Sequence, residues 1–208
     1  MSNFGITTET KSRNLTPIEP PYKGEDGKYI FPKAYLLSVK SHIFTNKDSE
    51  ESKVLDFHFK ATDGKEYIHR EFLINEDDAK YQTKADGFNT RVKHIYEAFA
   101  VFPEKGIGTK AKNWEQYFDM IAKAFEGVYE KSLVHIKVIY FNGRAGFPLS
   151  PNFLEKVVED RPYRTLSVNL KYDVIEQVSA SSSTDDDDTP SNFKEDDFDF
   201  EDEGEKVF

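Results

Sequence analysis

The chain has 208 residues, a formal net charge of −10, no cysteine, and 18 Phe, 11 Tyr and a single Trp. The missing cysteines exclude disulfide frameworks and thiolate metal sites and fit a reducing compartment. No apolar run approaches the roughly 20 residues of a membrane span, and the first residues lack the basic-then-apolar order of a secretory signal, so a cytoplasmic protein is expected (the host cytoplasm, if the source is viral).

The charge is unevenly placed. Residues 179–208 hold twelve acids and two lysines, so residues 1–178 are neutral. A neutral body can still gather its bases on one face, and the low isoelectric point does not argue against an anionic polymer as partner.

Residues 1–28, punctuated by Pro17, Pro20 and Pro21, read as an extended N-terminal arm without a core of its own. Residues 29–178 form the domain, long enough to bury one stable core. In the stretch 33–44, Tyr35, Leu37, Val39 and Ile43 alternate with Lys40, His42 and Phe44, the period of a half-buried strand. Residues 53–75 read as a hairpin, with Leu55, Phe57 and Phe59 inward, a tight turn at Asp63-Gly64, and Ile68, Phe72 and Ile74 continuing the apolar face.

The period then becomes helical. Phe88, Val92, Ile95, Tyr96 and Phe99 make one stripe over 87–100. A second helix is expected over 113–127, with Asn113 as N-cap, Gln116 three residues on, Gly127 at the stop, and Trp114, Phe118, Ile121 and Phe125 on its apolar face. Strands resume at 133–149. There Val134, Ile136, Val138 and Tyr140 face one way, His135, Lys137, Ile139 and Phe141 the other, and Asn142-Gly143 supplies a turn. A last alternating run, 165–178, closes the domain through Leu166, Val168, Leu170, Tyr172 and Val174. The order of three strands, helices and two strands predicts a β-rich α+β fold. More specifically it suggests an OB-fold-like five-stranded Greek-key barrel with two helices inserted between strands 3 and 4. Residues 179–194 form a flexible polar and acidic linker, and residues 195–208 an acidic-aromatic tip.

Enzymatic constellations are poor. His42, His58, His69, His94 and His135 include no i, i+4 pair of the kind that holds zinc on a helix. No phosphate loop or nucleophile elbow is present. Asp56, Asp78 and Lys80 could assemble a metal-dependent nuclease centre, but such triplets are common by chance in a charged chain. No enzymatic activity, metal or cofactor is expected.

The solvent side of the strands is more informative. It is expected to collect Lys40, His42, Phe44, His58, Lys60, Tyr67, His69, Lys137 and Phe141, with Arg144 from the following turn. Cations that follow phosphates, interleaved with rings that stack on bases, suit single-stranded nucleic acid. Ordinary amphipathic strands are the plainer alternative.

The segment "DDFDFEDEGEKVF", taken with the element order, resembles the bacteriophage single-stranded DNA-binding proteins, in which an OB-like body is followed by an acidic tail ending in an aromatic residue. The resemblance implies a protein that coats single-stranded DNA in replication, recombination or repair. It also implies a tail that competes for the DNA groove and recruits a polymerase, helicase or primase. Carried onto this sequence, the tip is Asp196, Asp197, Phe198, Asp199, Phe200, Glu201, Asp202, Glu203 and Phe208; Lys206-Val207 departs from the pattern. A homo-oligomer is compatible with this reading. An acidic adaptor or inhibitor that never touches nucleic acid is the alternative from a different class.

Overall fold

The computed structural model describes residues 16–46, 49–101, 110–141, 144–148, 152–159 and 165–176, with Phe141 and Arg144 described through their backbones only. The chain divides into two units, 1–177 and 178–208, and every described residue belongs to the first.

A short antiparallel pair, β1 (Tyr22–Lys23) and β2 (Tyr29–Ile30), precedes a long meander of β3 (Lys33–Thr45), β4 (Glu51–Ala61) and β5 (Glu66–Phe72). Helices α1 (Tyr81–Ala98) and α2 (Trp114–Ala124) follow, then β6 (Leu133–Ile136), β7 (Ile139–Phe141), β8 (Arg144–Gly146) and β9 (Leu154–Lys156). The main sheet runs β5-β4-β3-β6-β9, antiparallel throughout, and β7-β8 is a separate hairpin. The result is a β-rich α+β fold with a five-stranded antiparallel sheet and two helices. Among the described residues no strand pairing closes the sheet into a barrel. None of the described helices is long and apolar enough to cross a membrane.

Burial of rings holds the layers together. Phe57 and Phe59 of β4 are fully buried, as are Phe88, Phe118, Phe125 and Phe153. Phe57 meets Phe125 edge-on at 5.7 Å, and Tyr96 stacks on Phe125 at 5.0 Å, so α1 and α2 are keyed to the same strand. Each fully buried ring is worth about 1.5–3 kcal/mol. The expected stripe of α1 is buried as predicted, although the helix begins at Tyr81. Asn113 caps α2 by accepting from the Gln116 N–H at 2.9 Å. Gly127 takes a φ of 83° in the turns beyond α2.

Two local devices change which residues face the helices. The register of β3 on β4 shifts between Leu36 and Ser38, leaving Leu37 as a bulge. Before the bulge Ala34 and Leu36 are buried, after it Val39. Tyr35 and Leu37, expected inward, lie half-buried on the outer side, because one extra residue inverts the alternation. The Leu36 carbonyl at the bulge accepts the Glu130 N–H at 3.0 Å, from the turn between α2 and β6.

The second device is the β4–β5 turn. Phe59 pairs with Tyr67 and Lys60 with Glu66, and Gly64, at φ 88°, is the turn's left-handed residue. A connection one residue longer than the expected tight turn reverses the return strand. Tyr67, His69 and Glu71 therefore face the helices, while Ile68 and Phe72 face outward, 36% and 53% exposed.

One further expectation is corrected. Residues 165–176 form no strand; they run as an irregular segment anchored by side chains. The N-terminal arm is partly built into the fold. Its residues 16–18 pair with Glu66 at the edge of β5, through Glu66 N–H to Thr16 O at 2.8 Å and Ile18 N–H to Glu66 O at 3.3 Å. Ile18 is 1% exposed and part of the core.

Candidate nucleic-acid interface

Three antiparallel strands present their outer side chains in rows set by register. The rows are Tyr35–Lys60–Glu66, Ser38–His58–Ile68, Lys40–Asp56–Arg70 and His42–Val54–Phe72, with Phe44 opposite Ser52 beyond them. The helices occupy the other side, where the core lies.

At the centre is Asp56. Its carboxylate accepts two 2.7 Å bonds from Arg70, through Nε and Nη2, and lies 2.9 Å from His42 Nε2. Burial favours the neutral acid, but the hydrogen bonds from Arg70 and His42 outweigh it and hold the Asp56 carboxyl below its usual range. This fork immobilises Arg70, whose guanidinium carbon sits 3.8 Å from the centre of the Phe44 ring. Phe72 meets Phe44 edge-on at 6.4 Å. A cluster of Phe72 on Phe44 and Phe44 on Arg70 thus stands at one end of the face. Toward the other end His58 pairs with Glu66 at 2.7 Å. Lys40 and Lys60 are exposed and have no ion-pair partner among the described residues.

Of the residues predicted for this face, Lys40, His42, Phe44, His58 and Lys60 are brought together on it. Tyr67 and His69 are not. Tyr67 is buried between Phe59 and Phe147, at 6.4 and 5.1 Å between ring centres, and burial pushes its hydroxyl far above the usual tyrosine range. His69 bonds Glu71 at 2.8 Å, and Glu71 receives a fork from Arg91 of α1 at 2.6 and 2.8 Å. These residues tie β5 to α1.

Lys137 is also structural. Its ammonium donates to Asp173 at 2.8 Å and to the Ser167 carbonyl at 2.9 Å, with both charged side chains 5% exposed. Glu155 of β9 accepts from the Thr165 and Leu166 N–H groups at 2.9 and 3.1 Å. The segment 165–173 is thereby fastened to residues in and beside β6 and β9. Phe141 and Arg144 pair through their backbones in the β7–β8 hairpin. Their side chains, and the tip residues Asp196, Asp197, Phe198, Asp199, Phe200, Glu201, Asp202, Glu203 and Phe208, lie outside the described residues.

Sequence reading missed Tyr35, because the bulge at Leu37 inverts the alternation of β3, and Arg70 and Phe72, because a two-residue turn after β4 would have put their side of β5 in the core. Of the residues considered for a nuclease centre, Asp56 is bound to Arg70 on the sheet, and Asp78 precedes α1, paired with Lys84 at 2.6 Å. No group of three or more His, Asp or Glu suited to a metal occurs among the described residues.

Fold and face define a β-rich α+β domain with an open, ring-and-cation sheet surface. Comparison with protein-family models, curated proteins and solved structures finds no match.

Proposed function

We propose that this protein binds single-stranded DNA, with little sequence preference, on the outer face of β3, β4 and β5, in replication, recombination or repair. The observation that carries the reading is the cluster of Phe44, Arg70 and Phe72 on the same face as Lys40 and Lys60, which are exposed and have no ion-pair partner among the described residues. Core phenylalanines here are buried, yet Phe72 is 53% exposed beside Phe44, whose ring carries the fixed Arg70 guanidinium. Exposed rings of this kind stack on bases for about 1–3 kcal/mol each, and the lysines follow phosphates. The strand order supports an OB-like architecture. An OB barrel opened between its third and fifth strands would read 3-2-1-4-5, and β5-β4-β3-β6-β9 has that order. Between the edges of β5 and β9, Phe147 packs on Tyr67 and, at 4.3 Å, on Phe153. OB-folds bind oligonucleotides on their second and third strands, here β4 and β5. The acidic segment 179–208 would act as a competitor for the cationic face and as a docking peptide for replication enzymes, on the strength of its charge.

Fluorescence anisotropy of a labelled oligonucleotide of about 30 bases tests the reading, with duplex as competitor. Single-strand binding that weakens with salt, and that falls roughly tenfold in each of Phe72→Ala and Lys40→Ala/Lys60→Ala, is expected. Absence of binding at low salt overturns it and favours a protein adaptor.

A further inference from the structure

On the helix side of the sheet, a groove runs between α1 and the start of α2, lined by Tyr81, Ala85, Asn89 and Tyr96 from α1 and by Trp114 and Tyr117 from α2. From Tyr81 to Tyr96 the helix advances about 22 Å at 1.5 Å per residue. That length suits an extended chain better than a single small molecule.

The groove's hydrogen bonds do not balance. Trp114 Nε1 donates to the Tyr81 hydroxyl and the Tyr117 hydroxyl donates to Asn89 Oδ1, each at 3.1 Å. The Tyr81 hydroxyl hydrogen and the Asn89 amide hydrogens have no acceptor among the described residues. Tyr96 is 7% exposed, and its buried hydroxyl has no partner at all among the described residues. Buried donors are nearly always satisfied, so the Tyr96 hydroxyl calls for an acceptor from outside, and the solvent-facing donors of Tyr81 and Asn89 beside it can bind the same ligand. The rim opposes Glu76 and Asp86 to Lys93 and Lys112. That balance gives a polyanion little attraction and suits a neutral ligand.

We propose that this groove docks a proline-rich segment of a partner protein in the polyproline II conformation. Such a chain makes no internal hydrogen bonds, presents every carbonyl, and rises about 3.1 Å per residue, so about seven residues span the groove. Aromatic-lined grooves are the known receptors for it. The proline cluster near the N-terminus does not supply it: Pro17 pairs at Glu66, and Pro20 and Pro21 are buried. The inference does not rest on the nucleic-acid reading.

Trp114 is the sole tryptophan, so its emission reports the groove directly. The full chain is titrated with a ten-residue polyproline peptide, an Ala/Gly peptide of equal length, and oligo-dT. A saturable change with polyproline alone is expected. Asn89→Asp, which keeps the acceptor for Tyr117 but removes the free donors, is expected to weaken it about tenfold. Tyr96→Phe is expected to weaken it about threefold without lowering thermal stability. No Trp114 response at millimolar polyproline overturns the proposal. A response to oligo-dT in place of polyproline assigns the groove to nucleic acid and also overturns it. Undiminished binding by Asn89→Asp removes the donor argument on which it stands.

Discussion

Glu71 lies under α1 with both carboxylate oxygens engaged, Oε1 by Arg91 and His69 and Oε2 by Arg91. Burial alone would raise its pKa, but the Arg91 fork and the His69 bond outweigh that and lower it to about 2. A carboxyl depressed on folding stabilises the native state fully above its unfolded pKa, near 4.5, and loses that contribution as pH falls toward 2. Glu71→Gln leaves Arg91 half-buried without its counter-ion, and a loss of about 3 kcal/mol or more is expected at pH 7. Urea midpoints at pH 7, 4 and 3 should show the gap between wild type and variant narrowing as the buffer becomes more acid. A gap that stays constant would mean that Glu71 titrates alike in both states. None of this tie was legible in the sequence, where Arg91 falls off the apolar stripe of α1 and His69 reads as an outward strand residue. Only the register of β5 places them together.

At the scale of the element, periodicity revealed the meander, both helices and the cap at Asn113, because each rests on a pattern within a dozen residues. It could not reveal phase across a bulge or a turn, since Leu37 and Gly64 each shift register by a single position and reverse every side chain beyond. Nor could it reveal that Lys137 meets Asp173, which requires the irregular segment 165–176 to fold back. The end of α1 shows another feature invisible to pattern. Val101 N–H bonds the Tyr96 carbonyl at 2.8 Å and Ala100 N–H the Glu97 carbonyl at 3.2 Å, the paired bonds of a Schellman stop. The left-handed residue of that stop is Ala100, at φ 53°, where glycine usually sits. Its exposed methyl packs on little, and left-handed backbone costs an L-residue about 1 kcal/mol. Ala100→Gly is therefore expected to stabilise the protein by about 0.5–1 kcal/mol, read as a rise in the denaturation midpoint. A fall would mean that the greater freedom of glycine in the unfolded chain outweighs the relief of strain.

For the whole molecule the governing quantity is where charge resides. Every described strand and helix lies within residues 1–178, a body of zero formal charge, while residues 179–208 carry the full −10. On the proposed function, a polyanionic ligand approaching Lys40, Lys60 and Arg70 is expected to meet attraction from the face and repulsion from the acidic segment, whose carboxylates would stand in for phosphates. Both effects weaken binding, and both are screened as the Debye length falls from about 10 Å at 0.1 M salt to about 3 Å at 1 M. Residues 1–178 should therefore bind single-stranded DNA about tenfold more tightly than residues 1–208 at 50 mM salt, with the difference shrinking toward none at 500 mM. The truncated chain should also show the steeper fall of affinity with salt, because its cations are free to displace counterions from the strand. Equal thermal stability of the two chains is the control that the body is intact. Equal affinity at low salt would refute competition by the acidic segment and leave it a role toward protein partners alone. Weaker binding after truncation would place some of the DNA contacts within residues 179–208.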